Sequence, residues 1–122
     1  MNALIPDGRT FSDAPAIIYA AAAYKKRYDW QHKTRSTLES FIADDKATFT
    51  KAQTADVAPI QTADGQKLRV LTYFRPDDKV WECVAYGTED DYYLTFVLTA
   101  NSEEAYRQNL PVFQGLVGRY KK

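Results

Sequence analysis

The sequence predicts an α+β domain in which an antiparallel sheet is flanked by helices. Three observations predict it. A capped stretch from about 37 to 50 carries apolar residues at a helical period. From about 56 to 100 the period drops to two and is broken by turn signals. A closing stretch from Ser102 then returns to helical spacing. Consecutive strands set between helices are the pattern of an antiparallel sheet with segregated helices.

Residues 1–14 are polar and include Pro6, Asp7 and Gly8, so they are expected to form a loose lead-in. No internal repeat or low-complexity linker divides the rest of the chain, and residues 15–122 are read as a single domain. Residues 15–24 give two answers. Alanines 20–23, with Ser12 or Asp13 ahead of Pro15, favour a helix. The run Ile17-Ile18-Tyr19 fits a buried strand equally well. Propensity alone says helix.

The next helix is clearer. Ser36-Thr37-Leu38-Glu39 has capping-box spacing, with the serine hydroxyl placed to accept from the Glu39 backbone. Leu38, Phe41, Ile42 and Phe49 then fall near one side, which predicts a helix over 37–50 with one buried stripe.

The sheet comes next. Asp64-Gly65 signals a hairpin, because a tight turn needs positive φ. Leu68, Val70, Thr72 and Phe74 alternate with Lys67, Arg69, Leu71 and Tyr73. Arg75 to Lys79 turns the chain, Val80 to Gly87 forms the next strand, Thr88 to Asp91 turns again, and Tyr92 to Ala100 closes a four-stranded meander. On the last strand Tyr92, Leu94, Phe96 and Leu98 share one face; Tyr93, Thr95, Val97 and Thr99 share the other. Neither face is strongly polar, so both are expected to be covered at least in part.

The last helix starts at Ser102, with Glu103 and Glu104 where the dipole favours negative charge. Tyr106, Leu110, Phe113, Val117 and Tyr120 form an apolar seam that continues across Pro111, which predicts one bent helix. Pro111, Gly115 and Gly118 share another side, where a neighbouring backbone is expected to pass close.

Composition sets bounds on function. A chain of 122 residues with 45% hydrophobic and 26% charged residues can build one core without disulfides or metal. Sixteen basic residues balance sixteen acidic ones, which argues against nucleic acid as the partner. The single Cys83 excludes an internal disulfide and a multi-cysteine zinc site. No run approaches the ~20 apolar residues of a membrane span. The first residues lack the regions of a signal peptide. Export is therefore the reading only if a leader once preceded Met1, and the cytoplasm is the reading otherwise.

The residues Leu71-Thr72-Tyr73-Phe74, Val80-Trp81-Glu82, Val84-Ala85-Tyr86, Tyr93-Leu94-Thr95-Phe96-Val97 and the ending Phe113-Gln114-Gly115-Leu116-Val117-Gly118-Arg119-Tyr120 resemble the PsbP-like superfamily. That group includes the DcrB-like bacterial proteins, some of them exported. The resemblance covers roughly residues 36–122 and is one of element order and texture, without an invariant signature. It implies an α/β/α sandwich, with residues 15–24 as a strand entering the sheet. It carries no shared active site or cofactor, and its members mostly bind, dock or assist assembly.

No catalytic constellation stands out. His32 is placed in a polar loop and Cys83 on a buried strand, so they do not suggest a nucleophilic pair. Glu89-Asp90-Asp91 lacks the glycine-punctuated spacing of a calcium loop and reads as a solvated hairpin tip, as Asp44-Asp45 reads as a solvated helix face. No metal ligand set or cofactor is expected. The connector 24–35 interleaves bases with aromatics, and Trp30, Lys33 and Arg35 are its candidate binding residues. The second candidate is the sheet face bearing Tyr73, Tyr86 and Tyr93, an aromatic platform if no helix covers it. Two functions are consistent with these residues. The first is a non-enzymatic binding or assembly module with a protein or peptide partner. The second is a small enzyme or ligand-binding protein with a Tyr-lined pocket between sheet and helix. There, burial of Glu82 raises its pKa for acid–base work.

Overall fold

A computed structural model describes residues 2–4, 15–33, 35–49 and 51–121. The chain runs β1 (Asn2–Leu4), β2 (Ala16–Tyr24), α1 (Lys25–His32), α2 (Leu38–Thr48), β3 (Gln53–Gln61), β4 (Lys67–Arg75), β5 (Val80–Glu89), β6 (Tyr92–Ala100) and α3 (Glu103–Gly118). Its strands form one antiparallel sheet in the order β1-β2-β6-β5-β4-β3. The expected lead-in lies outside the described residues apart from Asn2–Leu4, whose backbone pairs with β2 at the sheet edge.

Residues 15–24 are a strand, as the Ile17-Ile18-Tyr19 run allowed and the resemblance implied, against the helical propensity of their alanines. β2 pairs with β6 along its whole length, from Ala16↔Ala100 to Tyr24↔Tyr92. Pairing with a buried strand and burial of Ile18 outweigh a propensity difference of well under 1 kcal/mol per residue. The meander is as expected, though β3 begins at Gln53 and carries an irregularity between Val57 and Ile60. Gly65 turns the β3–β4 hairpin at φ +88°.

The two faces of the sheet bury different helices. On one, Leu68, Val70, Cys83, Ala85, Leu98 and Ile18 pack against Ala105, Phe113 and Val117 of α3. On the other, Leu71, Tyr73, Val84, Tyr86 and Val97 pack against Ile42, with Leu38, Phe41 and Phe49 beside it. Burying one such large apolar side chain contributes roughly 1.5–3 kcal/mol, so each helix is held mainly by its stripe.

Local signals differ in detail from the expected ones. The capping box of α2 is Thr37 with Ser40, one residue later than Ser36 with Glu39: the Ser40 amide donates to Thr37 Oγ1 and the Thr37 amide to Ser40 Oγ. Glu39 instead pairs with Arg69 of β4, and Arg69 also reaches Asp56 of β3. α3 is one helix through Pro111, capped by Ser102. Of the two glycines expected beside a neighbouring backbone, Gly118 has one, the Gln61 carbonyl of β3, whereas a Cβ on Gly115 would meet no backbone. The Ala63 amide donates to the Tyr120 carbonyl at 2.9 Å, which ties the end of α3 to the β3–β4 turn.

Candidate functional site

The connector read as a loop is a helix. α1 follows directly from β2, and its seat is built from its one inward aromatic. Tyr28 stacks on His32 at 4.1 Å and meets Phe41 of α2 and Tyr93 of β6 edge-on. Its hydroxyl donates to Asp44, and burial together with that carboxylate raises its pKa. The start of the helix is pinned to the β5–β6 turn: the Lys25 amide donates to the Asp91 carbonyl, and its ammonium donates to the Asp90 carbonyl at 2.9 Å. Asp29, the one acid of α1, accepts from both the amide and the hydroxyl of Ser36, and these bonds hold its pKa below the ordinary value.

With the acid engaged, the outward side of α1 is left to cations and one ring. Trp30 is 79% exposed, the most open large hydrophobic side chain among the described residues. Lys26 and Arg27 stand one turn before it and Lys33 one turn after; all three are exposed, as is Arg35. Lys33 ends the helix in the left-handed conformation, φ 51°, with its amide on the Trp30 carbonyl. Trp30 and Lys33 thus share the exposed side of α1, and Arg35 is exposed beyond its end.

The tyrosine platform is not open. α2 lies on it, and Tyr73, Tyr86 and Tyr93 are all buried. Phe49 stacks on Tyr73 at 3.9 Å and Phe41 on Tyr93 at 4.6 Å. The Tyr73 and Tyr86 hydroxyls are 2.7 Å apart, and Tyr86 donates to Asp45. Of the pair expected to be solvated, Asp44 is exposed and accepts from Tyr28 of α1, whereas Asp45 is half-buried and accepts from Tyr86 of the sheet beneath. Tyr93 alone touches the exposed site, as the floor on which Tyr28 and Lys25 rest.

Glu82 is as buried as its mid-strand position implied, with its side chain 15% exposed and its pKa raised by desolvation. It accepts from Thr99 at 3.2 Å and lies 3.9 Å from the Arg75 guanidinium. Cavities of about 300, 190 and 180 Å³ lie on the opposite face, a smaller one of about 150 Å³ is lined by Ile17, Val80 and Thr99, and none of the four has Glu82 in its wall. Cys83 faces α3, beside Tyr106, while His32 ends α1 over the α2 face, so the two do not meet. Among the described residues no three His, Cys, Asp or Glu side chains gather as metal ligands do. No helix among them is long and apolar enough to cross a membrane. No family model and no curated protein matches this chain.

What the sequence did not disclose is a groove on the α3 face. Its larger lobe, about 300 Å³, is walled by Ile18, Ala20, Phe96, Leu116, Val117, Arg119 and Tyr120. A second lobe of about 190 Å³ shares Ala20, Phe96 and Tyr120 and adds Ala22, Leu94 and Glu89. The only early sign of it was the run of alanines, whose small side chains leave that end of β2 low.

Proposed function

We propose that this chain is a non-enzymatic binding module of the PsbP-like kind whose α1 surface docks an acidic segment of a protein partner. The observation that carries the reading is the exposure of Trp30 between Lys26, Arg27 and Lys33 on a helix whose own acid is turned away. Tryptophan and arginine are the residues most often found at the energetic centre of protein interfaces. Cations around the ring add steering and partner selection. The base under α1 is already packed, so docking needs little ordering of the site. Support for the PsbP-like part comes from the strand at Ala16–Tyr24 and from helices on both faces of one antiparallel sheet.

The test is affinity capture from source-cell lysate with wild-type protein and a Trp30→Ala/Lys33→Glu variant in parallel. A protein retained only by the wild type is then purified and its affinity measured. Loss of about tenfold or more in the variant, and weakening as salt is raised, is the expected result. Equal affinity of the variant for that partner, or no protein that distinguishes the two baits, overturns the reading.

A further inference from the structure

The groove on the α3 face is chemically unlike the α1 surface and lies across the sheet from it. Its floor is aliphatic and aromatic: Ile18 and Ala20 of β2, Phe96 of β6, Leu116 and Val117 of α3. Its size is at the lower end of small-molecule pockets, roughly 300–1,000 Å³. Such sites are mostly apolar with a few polar groups that fix orientation, and here those groups are asymmetric. Among the described residues, the larger lobe contains one charged side chain, Arg119, and no acid. Among the same residues, the smaller lobe contains Glu89 and no cation. Between them Tyr120 lines both lobes; its ring packs edge-on to Phe96 at 5.1 Å. The Tyr120 hydroxyl is closed to solvent, and the carboxylate it faces is that of Glu89 in the smaller lobe. Burial first, and Glu89 second, push its pKa up to about 12, so it is a neutral donor across the physiological range.

We infer that this groove binds a fatty-acid-like ligand, an aliphatic chain ending in a carboxylate, with the carboxylate at Arg119 and the chain lying over Ile18, Ala20 and Phe96 toward Leu94. The charge pattern sets the direction. A carboxylate in the smaller lobe meets Glu89, whereas in the larger lobe it meets Arg119. The chain then runs from the wall formed by Leu116 and Val117 of α3 toward exposed Ala22, along the surface that α3 leaves open.

The experiment is a titration of the full chain with dodecanoate below its micelle-forming concentration, followed by methyl NMR. Saturable shifts at Ile18, Leu94, Leu116 and Val117, with Ile42 and Leu71 of the opposite core unmoved, are the expected result. Arg119→Gln should weaken dodecanoate about tenfold or more, the scale of a lost charge-assisted hydrogen bond, and leave dodecanol unchanged. Ala22→Phe, a substitution at an exposed position of the smaller lobe, should weaken dodecanoate and spare octanoate. Trp30→Ala should bind dodecanoate as the wild type does, which separates this site from the protein-docking surface. Non-saturating shifts, shifts spread over both cores, or undiminished dodecanoate affinity in Arg119→Gln or Ala22→Phe would overturn the inference.

Discussion

The hydroxyl of Tyr86, in the middle of β5, donates to Oδ2 of Asp45 on α2 at 2.5 Å, and the Tyr73 hydroxyl stands 2.7 Å from the same phenol oxygen. This chain of three polar groups crosses an otherwise apolar layer and joins helix to sheet. Removing the middle member leaves a half-buried carboxylate and a buried phenol without their shared partner. Tyr86→Phe should therefore cost about 1.5–3 kcal/mol, the range for a hydrogen bond to a charged group. Asp45→Ala should cost a similar amount, and the double variant less than their sum because the two share one bond. Urea unfolding of the four proteins measures this; additive losses would show that the bond couples nothing.

The same layer shows where sequence reading stops. Alternation from Lys67 to Ala100 placed the strands and sorted their faces, because each turn carries its own chemistry and the side-chain period is two. It established that the face with Tyr73 and Tyr86 is apolar. It could not say that Phe41 and Ile42 of α2, and Phe49 just after it, would land there, because helix docking is a property of the whole chain. β2 was misjudged by propensity for a related reason: its partner β6 lies some 75 residues on, and pairing at that distance leaves no local trace. α1 was missed because only Tyr28 turns inward, too few residues for a helical stripe to register. Of the candidate site, the basic and aromatic texture around Trp30 was legible, while the groove depends on where the end of α3 is tied.

Gly87 on β5 is held under a clamp. Gln66, in the β3–β4 turn, donates to the Thr88 carbonyl at 2.8 Å and accepts from the Thr88 amide at 2.9 Å. A Cβ on Gly87 would run into the Gln66 side chain and the buried Leu68. Gly87→Ala should destabilise by about 1–3 kcal/mol, the usual range for overpacking, through displacement of Gln66 and Leu68. Gly115→Ala, where the added methyl would meet only the Arg119 side chain at 3.9 Å, should be neutral or slightly stabilising, since alanine is favoured in helices. Thermal unfolding of the pair separates the two positions, and a silent Gly87→Ala would mean that the clamp moves aside freely.

Cys83 should be inert in the folded protein. Burial pushes its thiol up to about 11, against a smaller opposing effect of the Tyr106 hydroxyl. Both burial and the scarcity of thiolate suppress attack on a disulfide reagent. In native buffer the thiol should react with Ellman's reagent only as fast as the chain opens, and in denaturing urea it should react at once. Rapid labelling of the native protein would place Cys83 nearer the surface than the α3 interface allows.

Glu82 makes stability depend on pH in the less common direction. Desolvation raises its pKa above the ordinary 4.5, while the Thr99 hydroxyl and the Arg75 guanidinium oppose that only in part. Between the unfolded value and the raised folded value, the folded chain binds more protons than the unfolded one, so stability falls as pH rises through that window. Below the window the contribution of this group is fully present, and above it the carboxylate is charged in a desolvated place. Glu82→Gln keeps an acceptor for Thr99 and removes the charge. Its stability curve should therefore be flatter than the wild type's as pH climbs past the carboxylate range, and the variant should gain on the wild type toward neutrality. Unfolding free energies at a series of pH values test this; a variant that loses ground as pH rises would mean that the Arg75 pairing outweighs desolvation.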